Sequence, residues 1–462
     1  MLRRRQADPR DSLEDAPGLA STLRPMLRLA APVLGEQILL MMVQLSDTIL
    51  TGRRLEETHL AAMSQMAYVM WLLTNLFVAV DSGATALVAR FMGAGDVRKA
   101  CRVTNQAFLA GCTLSVCMTL VGLVFTEPLV AAMGLPADAS ALAVRYLRFL
   151  LPALPLMMVL SVGNACLRGA GDTVSGFVAM IAMNVVNVLA SWGLVCGWGP
   201  LPELGWDGVA IGTAAGYSVG GLTMGARLVM GRHGLRLRWR LLRPDLELAR
   251  RLLRIGVPAG ADVMTIVACQ FWFKRIVNDL GSLAAAAHGV AISIESLAYL
   301  PGTAFQVAAT TLAGQHLGAK NQRQALHSVL VACLAGGALM SAVGLLFFTA
   351  SQPLAWIFLS AQQAAVAERA AELLRIVAVA LPALAVHMVL SGALRGAGDT
   401  RWPLAFSLVG MLAVRIPLAY WLTQSLDWGV AGAWYAMAAD IYVRCLLVVS
   451  RFAHGGWKRV EV

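Results

Sequence analysis

Leu167-Arg168-Gly169-Ala170-Gly171-Asp172-Thr173 returns later in the chain as Leu394-Arg395-Gly396-Ala397-Gly398-Asp399-Thr400, a shift of 227 residues. Leu154-Pro155 returns at the same shift as Leu381-Pro382. Gly93-Ala94, with Arg98 and Ala100, returns at a shift of 225 as Gly318-Ala319, with Arg323 and Ala325. Pro32 followed by Glu36 matches Pro258 followed by Asp262. Matches in chain order at a nearly constant shift mark an internal duplication, so each copy forms one half of the fold.

Composition says what the halves are made of. Of 462 residues, 58% are hydrophobic and 14% charged, whereas a soluble domain is about 25% charged. Disordered, collagen-like and disulfide-rich secreted classes are excluded by the same figures. Long stretches are apolar on every face, the pattern of a polytopic membrane protein. Apolar spans fall at about 27–52, 60–88, 103–126, 141–166, 174–197, 208–230, 255–278, 283–313, 325–350, 371–393, 402–424 and 428–450. Each is long enough to cross a hydrocarbon core of roughly 30 Å at about 1.5 Å per residue.

The net charge of +11 suggests nucleic acid only where a basic face sits on a soluble domain, and none is visible. The basic residues sort by loop instead. Arg3, Arg4, Arg5, Arg10, Arg24 and Arg28 precede the first span, and Arg90, Arg98, Lys99 and Arg102 lie between the second and third. The middle linker holds Arg227, Arg232, Arg236, Arg238, Arg240, Arg243, Arg250, Arg251 and Arg254, and the tail holds Arg451, Lys458 and Arg459. Loops of opposite parity carry Glu127, Asp138, Glu203, Asp207 and Asp427. By the positive-inside rule both termini and the linker are expected to be cytoplasmic.

The expected fold is an all-α polytopic membrane protein with twelve transmembrane helices in two six-helix lobes. Six crossings return the chain to one side, so the lobes run parallel and a pseudo-two-fold axis along the membrane normal relates them. The expected segments are a cytoplasmic extension at 1–26, an N-lobe at 27–230, a basic cytoplasmic linker at 231–254, a C-lobe at 255–450 and a cytoplasmic tail at 451–462. The extension is polar, reads as disordered, and lacks the apolar run of a signal peptide. The eight cysteines form no CxxC pair and read as small core residues.

Ionisable groups in a bilayer cost about 2.5–3.5 kcal/mol each on insertion scales, so those retained within spans are functional candidates. Six carboxylates qualify: Glu36, Asp47, Asp81, Asp262, Glu295 and Asp440. Gln44 lies one turn before Asp47 and is expected to bond its carboxylate or a bound ion. An acid in an apolar cleft can hold either a proton or a cation. Asn184 and Asn187 lie one turn apart in the fifth span, with Thr213 in the sixth. For Asn184 an interhelical hydrogen bond is expected. Glu36 and Asp262 are expected to neutralise Arg28 and Arg254 or to draw cations into the mouth, and Arg168 and Arg395 to pair with Asp172 and Asp399 or to cap helices.

The paired RGAGDT segments, the prolines near the start of spans one and seven, Ser46-Asp47-Thr48, and Gly314-Gln315-His316-Leu317-Gly318-Ala319 resemble the multidrug and toxic compound extrusion (MATE) family. The resemblance runs from about Leu27 to Arg451. It implies a twelve-helix antiporter that exports organic cations and other amphiphiles in exchange for protons or sodium ions. It places an essential acid at Asp47, polar partners at Asn187 and Thr213, and a second acid at Ser191, where this chain has none. A single carboxylate makes a weaker sodium site than two. Coupling to H+ is therefore favoured over Na+ at Asp47. The C-lobe acids of sodium-coupled members align with Val267 and Leu384, so that site is expected to be absent. Glu295 and His387 could substitute as substrate-binding or titrating groups, as could Asn184 as a substrate contact.

No nucleotide-binding, HExxH or nucleophile motif is present, so neither a primary pump nor an enzyme is expected. No cofactor, resident metal or nucleic acid is expected. The expected partners are the lipid bilayer and small cationic or amphiphilic substrates, and the chain is expected to act as a monomer in a bacterial plasma membrane. The alternative is a flippase for lipid-linked oligosaccharide, which would favour cations clustered inside the cleft to hold pyrophosphate.

Overall fold

Long apolar runs without water-facing stripes become long helices, because a helix satisfies its own backbone hydrogen bonds inside a bilayer. A computed structural model describes residues 19–131, 136–359 and 361–460. In chain order the long helices are α1 (Leu19–Arg54), α2 (Thr58–Gly93), α3 (Val97–Val124), α4 (Ala137–Gly169), α5 (Val174–Cys196) and α6 (Trp206–Met230). A second six follow: α7 (Leu246–Asn278), α8 (Ser282–Gly318), α9 (Gln322–Thr349), α10 (Ala364–Gly396), α11 (Arg401–Ser425) and α12 (Gly429–His454). Among the described residues there is no strand. Ten of these helices are long and apolar enough to cross a membrane by composition alone. α6 is diluted by glycine and α12 by Asp440, Arg444 and Arg451, so the two rely on their neighbours.

The ends extend beyond the apolar runs. α1 begins at Leu19 instead of about 27, and α7 at Leu246 instead of about 255. Arg24, Arg28, Arg250, Arg251 and Arg254 therefore lie on helices, and the connection between halves shrinks to 231–245. Arg3, Arg4, Arg5 and Arg10 lie outside the described residues. The connection is pinned to α3. Asn105 Nδ2 donates to Arg236 O at 2.9 Å, its Oδ1 accepts from Arg238 N, and Gln106 Nε2 donates to Leu241 O and Arg243 O at 3.0 and 2.7 Å. Asp245 N donates back to Gln106 Oε1 and its side chain caps α7 at Leu248 N.

Prolines act differently in the two repeats. α4 is interrupted by a tight turn at Leu151–Ala153, so Pro155 falls at the start of a new helical segment, where its missing N–H costs nothing. Its repeat mate Pro382 sits inside a continuous α10. α11 widens into π-helical turns at Leu408–Arg415 and Trp421–Ser425.

Each half has its own apolar core, one built on α1 to α6 and one on α7 to α12. A third core crosses the division. It joins Met26, Leu29, Ala30 and Val33 of α1 to Ala304, Phe305 and Ala308 of α8, to Phe452 of α12 and to Trp457 just beyond it. Reciprocally, Leu252 and Ile255 of α7 join the N-lobe core. The lobes are thus locked together where the arginine-rich loops lie, here called the basic face. Two glycines set how close they come: a Cβ on Gly256 would strike the backbone of Ala79 in α2, and one on Gly318 would strike that of Arg90. Beyond these contacts the lobes separate around two cavities.

Candidate functional site

Within the N-lobe, α5 and α6 approach along a glycine stripe. Gly212 faces Ser191, and Gly216 faces Met183 and Asn187. Without side chains in between, the polar groups of both helices reach the same point on α1. There Thr213 Oγ1 donates to Asp47 Oδ2 at 2.9 Å, and Asn187 Nδ2 and Ser191 Oγ donate to Asp47 Oδ1 at 3.4 and 3.5 Å. Asn187 Nδ2 also lies 3.3 Å from Thr213 Oγ1. Asp47 is 2% exposed, and no cationic side chain bonds it. The buried phenols of Tyr146 and Tyr217 stand near it.

This arrangement can serve either protonation state. Thr213 has one hydroxyl hydrogen and two acceptors in reach, Asp47 Oδ2 and Val209 O, each at 2.9 Å. Turned toward Val209, the hydroxyl presents a lone pair that a protonated Asp47 can donate to. Asn187 Oδ1 is buried without a partner, so an acceptor stands ready for the same proton or for a cation.

Asp47, Asn187, Ser191 and Thr213 therefore come together, whereas Gln44 does not join them. Gln44 is exposed, makes no bond to Asp47, and lines a cavity of about 510 Å³ with Tyr68, Trp71, Phe271, Lys274 and Glu295. One helical turn separates the two residues, but Asp47 turns toward α5 and Gln44 toward the interlobe cleft. Asn184 is buried and donates to its own helix at Met180 O (2.9 Å), in place of the expected bond to a neighbouring helix.

Glu295 on α8 reaches the cleft, with Oε1 buried and unpartnered. His387 on α10 does not. Arg444 Nη1 lies 3.5 Å from its Nε2, and its Nδ1 is buried without a partner. Val267 and Leu384 are buried and apolar.

The C-lobe holds a constellation that spacing did not single out. Asp440, wholly buried, receives Arg415 Nε at 3.0 Å and Nη2 at 2.7 Å, and Arg444 Nε and Nη2 at 2.8 Å each. Two arginines inside apolar spans, one of them four residues after an acid, were the available signal. Nearer the basic face, a cavity of about 390 Å³ is lined by Glu36, Asp81, Asn164, Arg168, Gln306 and Arg395. Ser161 Oγ donates to Asp81 Oδ2 at 2.6 Å. Glu36 is paired with Arg168 and Asp262 with Arg395, not with Arg28 and Arg254. Asp172 caps α5 through Ser175 N and Oγ, and Asp399 bonds Arg451. The arginines of the repeated motif thus leave their own loops to reach acids on α1 and α7.

Two related six-helix lobes around a cleft define a two-lobed membrane transporter. A family model described as MatE matches residues 32–192 and 258–421, one match in each half. The chain belongs to the MatE family. It is 28% identical over 442 residues to a probable multidrug resistance protein NorM of Thermotoga maritima, covering 95% of this chain and 94% of that one. It is 26% identical over 451 residues to a probable multidrug resistance protein YoeA of Bacillus subtilis, covering 96% of each. Among solved structures, a MOP superfamily transporter from Pyrococcus furiosus superimposes with a TM-score of 0.88 at 22% identity, over 95% of this chain and 97% of that one.

Proposed function

We propose that the chain is a multidrug efflux antiporter that moves organic cations and other amphiphiles out of the cell in exchange for protons. The observation that carries this reading is the Asp47 site: one carboxylate, enclosed by neutral donors that can reverse direction, with no second acid beside it. A proton arriving from the opposite face is held between Asp47 and Thr213. Its release on the basic face, which we assign to the cytoplasm of a bacterial plasma membrane, frees the cycle to repeat. The drive is the pH gradient plus a membrane potential worth about 2.3 kcal/mol per charge per 100 mV.

The cleft suits amphiphilic cations. Tyr68, Trp71 and Phe271 offer aromatic faces, and Glu295 and Gln44 offer acceptors. Lys274, the cation in this cavity, is turned onto Tyr68, with Nζ 4.8 Å from the ring centre and 3.2 Å from its hydroxyl. A flippase holding pyrophosphate would call for cations free to bind it. Arg415 and Arg444 are both committed to Asp440.

The test is efflux of a fluorescent organic cation from proteoliposomes under an imposed proton or sodium gradient, with Asp47→Asn as the comparison. A proton gradient should drive efflux in the native protein and fail to do so in the variant. Unchanged coupled efflux in the variant removes the central assignment, and dependence on sodium alone overturns the ion. Translocation of a lipid-linked sugar without cation efflux moves the protein to the flippase class.

A further inference from the structure

A cavity of about 730 Å³ opens on the basic face and takes its walls from both lobes: Arg90 from the end of α2, Arg251 and Arg254 from α7, and Asp399, Arg401 and Trp402 from the turn into α11. Its charge is not balanced from within. Asp399 is already bonded by Arg451, whose guanidinium lies over the Trp402 ring at 4.9 Å. Arg251 is offset by Glu247. Arg254 and Arg401 make no ion pair among the described residues. Arg90 gives Nη2 to Val460 O at 2.9 Å and leaves Nη1 buried without a partner.

The duplication provides an internal control. At the repeat shifts, Arg90, Arg251, Arg254 and Arg401 correspond to Gln315, Pro25, Arg28 and Val174. In the other copy the neutral Gln315 amide donates to Gly169 O at 2.9 Å, whereas Arg90 reaches Val460 O. Arg90 thus stands where the repeat has a neutral residue, and Arg401 where it has a valine. An orientation signal requires basic loops, but not convergence of guanidinium groups around one hollow in one copy of a repeat. Trp402 is half exposed at its edge, as aromatic residues are at headgroup level.

We propose that this cavity is a binding site for a phosphate group, such as an anionic phospholipid headgroup presents, and that it clasps α2 of one lobe to α7 and α11 of the other. Guanidinium groups converging from three helices match a phosphate's oxygens in two-pronged fashion. Trp402, about half exposed, lines the cavity on the side where acyl chains would leave it. Because the walls come from both lobes, the site is assembled only while the basic face is closed.

The test is titration of the purified full-length protein in detergent with phosphatidylglycerol, with phosphatidylcholine and with inorganic phosphate, read by native mass spectrometry and by thermal unfolding. Phosphatidylglycerol should bind and stabilise, and Arg254→Gln/Arg401→Gln should weaken this by about tenfold or more. Arg232→Gln/Arg240→Gln, a pair on the same face but outside the cavity, should leave it intact. Inorganic phosphate matching the effect of the lipid would make free phosphate the ligand at the same site. Equal loss in both double variants, or no preference for phosphatidylglycerol over phosphatidylcholine together with no response to phosphate, overturns the proposal.

Discussion

Arg395 on α10 donates to Asp262 on α7, Nη2 to Oδ2 at 2.5 Å, and the repeat-related Arg168 on α4 reaches Glu36 on α1 in the same way. Both acids are 2% exposed and both arginines about one-fifth exposed. The repeated motif therefore ties the fourth helix of each lobe to its first, one turn beyond the proline. Arg395→Gln leaves Asp262 buried without a counter-charge, at a cost of about 3 kcal/mol. Thermal unfolding in detergent should show this loss. Asp262→Asn/Arg395→Gln should recover more than half of it, because no buried charge is then left alone.

That pairing marks where sequence reading stops. The spans, their duplication and the sorting of charge were legible because bilayer thickness and the positive-inside rule act on local composition. Asp47 was legible because midspan acids are few, whereas the grouping of Asn187, Ser191 and Thr213 with it came from the family resemblance. Gln44 was misplaced because helix spacing gives a face but not which neighbour that face meets. Glu36 was assigned to Arg28, its neighbour along α1, when its partner lies on α4. The Arg415, Asp440 and Arg444 cluster needed α11 and α12 docked together before it could be seen.

Ser191 Oγ lies 3.5 Å from Asp47 Oδ1, close enough that a carboxylate at position 191 would share one ion with Asp47. Two carboxylates hold a hard cation where one does not, and without a cation they repel. Ser191→Asp should therefore raise sodium affinity by about tenfold or more and allow a sodium gradient to drive efflux. Sodium binding to the purified variant and sodium-driven efflux in proteoliposomes both report this. Thermal unfolding in parallel shows whether the larger side chain fits against Gly212.

Asp440 should behave as the opposite of Asp47, although both are buried midspan acids. Asp47 is bonded by neutral groups, so Asp47→Asn should keep the fold and lose coupling. Among the described residues Asp440 is the sole acid bonded to Arg415 and Arg444, and Asp440→Asn strands two buried cations at a cost of roughly 3–5 kcal/mol. Loss of folded protein on size-exclusion chromatography is expected for Asp440→Asn alone. Replacing the whole cluster, as in Arg415→Met/Asp440→Leu/Arg444→Met, should restore the folded peak.

Closure of the basic face rests on backbone contact at Gly256 and Gly318, where α2 of one lobe meets α7 and α8 of the other. A leucine at either position cannot be accommodated by turning a flexible side chain, because what it meets is backbone. Gly256→Leu and Gly318→Leu should therefore penalise the closed state and leave each lobe's own core intact. Thr303 lines the inner cavity, so Thr303→Cys in a cysteine-depleted background reports access from the basic side. A penalty of about 1.4 kcal/mol raises labelling by an impermeant maleimide by roughly tenfold. Labelling that does not change in either variant would mean that these glycines pack the lobes without gating the cleft.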